Sequence, residues 1–106
     1  MPPRWLPAAL VRIRELAAQR RVAFTMKALT DLAGLGIGLD QEDACGVLAG
    51  LSVSDFDQRL RSKKSGEWMY VFKPEVAGVL MYLKVIPRAD CVVISFHEDE
   101  KNDEDT

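Results

Sequence analysis

Apolar positions follow a helical period through the first half of this chain and a strand-like period through the second. Leu10, Ile13, Leu16 and Ala17 share one helical face, with Arg12, Arg14, Glu15 and Gln19 opposite. Pro2, Pro3 and Pro7 are expected to keep the residues before this helix extended. A second short helix is predicted after Thr25, a good N-cap, through Ala28, Leu29 and Leu32 to a stop at Gly34, Gly36 and Gly38. Residues 21–24 between them are either a short strand or a linker. The third helix has the clearest start. Asp40 can cap the amides of residues 42 and 43, Glu42 and Asp43 suit the positive helix end, and Ala44, Val47, Leu48 and Leu51 form a buried face. Ser52 to Asp55 then form a turn or short helix, capped by Ser52 or Ser54.

Beyond a loop at residues 58–66 the period becomes two. Residues 67–72 read as a strand rich in aromatics, ended by Pro74. Ala77-Gly78 turns the chain into a strand at 79–86, and Pro87 to Asp90 turn it into a last strand at 91–97. Connections this short predict an antiparallel meander of three strands. The expected fold class is α+β, with N-terminal helices packed on one face of a small antiparallel sheet.

The chain has 106 residues, which is one domain with little room for a large buried pocket. Its apolar stretches are too short to span a bilayer, and its start lacks the long apolar run of an export signal, so the cytosol is the expected compartment and no membrane partner is expected. Cys45 and Cys91 sit in apolar patterns and read as core residues rather than a disulfide. With one histidine and two distant cysteines, no metal-ligand spacing exists and no cofactor is expected.

The net charge of −2 hides a split. Residues 98–106 hold six acids and one lysine, leaving 13 Lys+Arg against 10 Asp+Glu in residues 1–97. The domain is therefore expected to span 1–97 and to be mildly basic, followed by a solvated, disordered acidic tail. Such a tail could also lie over a basic site and weaken nucleic-acid binding.

The loop at 58–66 concentrates Arg59, Arg61, Lys63 and Lys64 without an acid. Cations of this kind grip phosphates, and Trp68 and Tyr70 just beyond could stack on unpaired bases, although both could equally face the core. Lys73 adds a further charge. Tyr82 and Lys84 share a strand face opposite Leu83 and Val85. The only histidine, His97, ends the last strand, and imidazole exchanges a proton near neutral pH. RNA cleavage by internal transfer needs a base for the 2′-hydroxyl, cations for the phosphorane-like transition state and an acid for the leaving oxygen. His97 could be the acid, Lys84 and the loop arginines the clamps, Tyr82 an orienting or proton-transfer group, and Glu67 a weak candidate for the base. No phosphate-binding glycine loop, serine elbow or His/Cys pair competes with this assignment.

The order of segments from about Phe24 to Glu98 resembles the MqsR (motility quorum-sensing regulator) family of toxins, whose fold is RelE-like. The resemblance is carried by Leu35-Gly36, the run Gly50 to Phe56, Trp68, Val71-Phe72-Lys73-Pro74, Gly78, Tyr82-Leu83-Lys84 and the run Val92 to Phe96. It implies a type II toxin, a bacterial mRNA interferase acting on mRNA and neutralised by a co-expressed antitoxin with a DNA-binding domain. Tyr82 matches the family's active-site tyrosine. Among its departures from the family's pattern, Gln58 and His97 each stand where a lysine is typical, and Met69 stands where a glutamine is. The chemistry is either redistributed onto His97 and the basic loop, or lost, leaving an RNA- or partner-binding regulator of the same fold.

Overall fold

The computed structural model describes residues 2–99. Three helices, α1 (Leu6–Ala18), α2 (Met26–Gly34) and α3 (Gln41–Ala49), precede most of a mixed sheet. Its strands are β1 (Val22–Phe24), β2 (Phe56–Arg61), β3 (Trp68–Phe72), β4 (Glu75–Val76), β5 (Val79–Pro87) and β6 (Cys91–Glu98). The main path runs β1-β6-β5-β3-β2, with β4 paired to β5 beside it. The α+β class read from the sequence is the observed one.

Local chemistry explains the helix ends. Pro7 lies in the first turn of α1, where its missing N–H removes no intrahelical bond, so only Pro2 and Pro3 precede the helix. The Thr25 hydroxyl accepts the Ala28 amide at the start of α2. At α3, Asp40 accepts the Asp43 amide while the Asp43 carboxylate accepts the Asp40 amide, a reciprocal capping box. Asp55 likewise accepts the Ser52 amide around a single 3-10 turn at Val53–Asp55.

The predicted meander is present as β3, β5 and β6, but the sheet is larger. Residues 22–24 form β1, parallel to β6 in register with 91–93, and cover an apolar strand edge that would otherwise stand open. Residues 58–61, expected to be loop, belong to β2. This outer strand carries charge because no further strand packs beside it. The true connection is a tight hairpin, closed by the Ser62 amide on the Glu67 carbonyl at 2.8 Å and by Gly66 at φ +74°.

One sheet face packs against the helices. Leu6, Leu10, Ile13 and Leu16 of α1, Ala28 and Leu32 of α2 and Leu48 of α3 join Phe72, Met81, Leu83, Val85, Val93 and Phe96 in one buried cluster. Cys91 belongs to it, and burial pushes its thiol up to about 12. Cys45 is also buried, and both cysteines are free. Glu98 ends β6 and Asp99 is 5% exposed, so these two residues are part of the fold rather than of a tail. The rest of the expected acidic tail, 100–106, lies outside the described residues. Among those described, no helix is long and apolar enough to cross a membrane.

Candidate active site

Two β-bulges decide which side chains face away from the helices. In β6, Val93 pairs with Val85 and Ser95 pairs with Lys84, which leaves Ile94 as an extra residue. Cys91 and Val93 point into the core. Strict alternation would send Ser95 and His97 there too. The extra residue reverses the parity, so Phe96 enters the core and His97 joins Tyr82 on the open face. In β2, pairing of Phe56 with Phe72 and of Gln58 with Val71 leaves Asp57 extra. Gln58 is thereby turned to the open face and Arg59 to the helix side.

Thr25 holds the first bulge. Its amide donates to the Val93 carbonyl at 3.1 Å and its hydroxyl to the Ile94 carbonyl at 3.2 Å. The same hydroxyl caps α2, so helix start and bulge share one side chain.

On the face turned away from the helices Gln58, Val71, Lys84 and Ser95 form one row across the sheet, and Tyr82 with His97 belongs to the next. Within the first row Val71 and Ser95 are buried, and Lys27 of α2 donates to the Ser95 hydroxyl at 3.2 Å. The Tyr82 and His97 rings stack, with centroids 5.1 Å apart and planes within 10°. His97 Nδ1 lies 2.8 Å from the Glu98 carbonyl. A carbonyl only accepts, so Nδ1 carries the hydrogen and Nε2 is left to exchange a proton outward. Lys84 is two residues from Tyr82 on the same strand face, about 7 Å along it. The Tyr82 and His97 rings are thus in contact, and Lys84 shares their sheet face.

Other predicted site residues are placed differently. Lys73 is level with Tyr82, but its ammonium lies 3.5 Å from Asp99 and 3.8 Å from Asp57, which offset its charge. Arg59, Arg61 and Trp68 are on the helix side. There the Arg59 guanidinium is 3.7 Å from the ring centres of both Trp5 and Trp68, and Arg61 is 4.0 Å from Trp68. This ladder ties the hairpin to the start of α1 through cation–π contacts of about 0.5–2 kcal/mol each. Tyr70 packs on Trp5 and the core, as its alternative reading anticipated. Lys63 and Lys64 are exposed at the hairpin tip. Trp68 and Lys73 are five positions apart, roughly 17 Å of extended chain. The basic hairpin and the polar strand face therefore do not form the single site expected from sequence. Glu67 is not poised as a base either. Arg88 grips it with two nitrogens, and that bond first, then Ser65, holds its carboxyl below the usual range.

Helix α2 supplies groups that the sequence reading missed. Lys27, Thr30, Asp31, Gly34 and Leu35 join His97, Glu98 and Asp99 around a cavity of about 490 Å³. Asp31 accepts the Phe96 amide at 3.1 Å and pairs with Lys27 at 2.9 Å, satisfying the β6 edge where β1 has ended. The i, i+4 spacing of Lys27 and Asp31 was the available signal.

Fold and surface together define a small α+β domain with Tyr82, Lys84 and His97 on one sheet face beside a helix-lined cavity. Residues 7–98 match the family described as motility quorum-sensing regulator, toxin of MqsA, and the chain belongs to that family. It is also 31% identical over 90 residues to the mRNA interferase toxin MqsR of Escherichia coli, covering 84% of this chain and 90% of that relative.

Proposed function

We propose that this chain is the toxin of a type II toxin–antitoxin system, an endoribonuclease that cuts mRNA on the open face of its sheet. The observation that carries this reading is the Tyr82–His97 stack beside Lys84, in a chain 31% identical to an mRNA interferase. The RNA 2′-hydroxyl attacks the adjacent phosphorus, its proton passes to water, and the bond from phosphorus to the 5′-oxygen breaks. Protonated His97 gives its Nε2 proton to that leaving oxygen. Lys84 offsets the charge that builds on the phosphorane-like oxygens. Tyr82 supports the imidazole from one side with its ring, and its hydroxyl orients the phosphate or relays a proton. Charge neutralisation and the leaving-group proton come from Lys84 and His97, and no step is assigned to a divalent metal. Lys63 and Lys64 contact phosphates further along the strand, and Trp68 with Arg59 and Arg61 braces the hairpin that presents them.

The partner is a co-expressed antitoxin with a DNA-binding domain. Purified protein in chelator should cut RNA, and its expression should arrest growth. His97→Ala and Tyr82→Phe should each abolish both effects with unchanged circular dichroism. Intact RNA and normal growth with the unaltered chain would overturn the reading, and full activity in both variants would overturn the residue assignment.

A further inference from the structure

The cavity between α2 and the end of β6 has a feature that folding does not require. Gly34 is the last residue of α2 and has no left-handed backbone angle, so any residue could adopt its conformation. A Cβ added at Gly34 would meet nothing within 4 Å. Neither backbone nor packing demands glycine; its missing side chain keeps open a cavity that His97 borders.

The lining chemistry limits the occupant. Three carboxylates face one lysine, so a phosphate is disfavoured. Asp31 is engaged by Lys27 and the Phe96 amide, and Asp99 by Lys73. Glu98 makes no side-chain ion pair or hydrogen bond among the described residues. We propose that this cavity is a nucleobase subsite for the nucleotide beside the scissile phosphate, and that it prefers bases bearing an exocyclic amine over uracil. The base stacks on the imidazole face turned away from Tyr82. Its amino hydrogens are accepted by Glu98, and Lys27 donates to a ring or carbonyl acceptor. Uracil offers one N–H between two carbonyls, and those would face carboxylates.

The inference rests on the RNA-cleaving reading, so its test uses binding rather than cleavage. Affinity is measured for short 2′-O-methyl RNA, which binds without being cut. The base on each side of the cleavage position is in turn an amino-bearing base, uracil or absent. Gly34→Leu should weaken binding at least tenfold when an amino-bearing base occupies the subsite and leave the abasic oligonucleotide unaffected. Glu98→Gln, which can donate as well as accept, should reduce the preference over uracil at the same position at least fivefold. Unchanged affinities in Gly34→Leu, an equal loss on the abasic oligonucleotide, or an undiminished preference in Glu98→Gln would overturn the subsite. Absence of cleavage by the unaltered chain would instead sink the enzymatic reading and leave these binding results standing.

Discussion

Thr25→Val removes one hydroxyl and tests how the site is held. That hydroxyl accepts the Ala28 amide as the α2 cap and donates to the Ile94 carbonyl in the β6 bulge. Loss of a threonine cap costs about 1 kcal/mol. Loss of the carbonyl bond adds about 0.5–1.5 kcal/mol. Valine keeps the branched shape, so little cavity cost is added. The expected loss is about 2 kcal/mol, or a fall in Tm of roughly 10 °C for a domain this size. The amide of residue 25 still reaches Val93, so the bulge loosens rather than disappears. Urea unfolding followed by circular dichroism should show a lower midpoint at unchanged slope, and Thr25→Ser should recover most of it. Cleavage by the folded valine variant should fall several-fold, since the bulge sets the side on which His97 emerges. A loss below about 0.5 kcal/mol, or a serine variant as weak as valine, would refute this account of the bulge.

Lys84→Gln should lower kcat by about two orders of magnitude with little change in KM, as expected for a charge used mainly in the transition state; a change confined to KM would contradict that role. The Cys91 thiol, raised to about 12 by burial, gives a stability contribution that is full below the unfolded thiol's pKa. Above that value the unfolded chain loses a proton that the folded chain keeps, so stability falls as pH rises toward 12. The full effect approaches about 4 kcal/mol. Unfolding of the unaltered chain and of Cys91→Ala, compared between pH 8 and 11, should show the steeper decline in the former; parallel curves would argue against the assignment.

Much of the architecture was legible because long apolar stripes dominate it. The α1 stripe from Leu10 to Ala17, the caps at Thr25 and Asp40 and the turn at Ala77-Gly78 all act locally. The placement of Tyr82 and Lys84 on one face followed from simple alternation. Strand β2 was not legible, because an edge strand with Arg59 and Arg61 on its helix side lacks the apolar signature of a buried one. The bulges at Asp57 and Ile94 were hidden for a different reason: each exists only through pairing with a neighbouring strand. Alternation within β6 alone sends His97 into the core. Likewise, the acids around Lys73 come from β2 and from beyond β6, and Gly34 read only as part of a helix stop.

The most direct test of the central claim is the response of cleavage to a single missing 2′-hydroxyl. In chelator, the unaltered chain should cut a short RNA to leave a 2′,3′-cyclic phosphate. The same RNA with one 2′-deoxynucleotide at the cleavage position should remain intact at that bond. Equal cutting of the deoxy-substituted RNA, or products ending in a 5′-phosphate, would show that the open-face groups do not act by internal transfer.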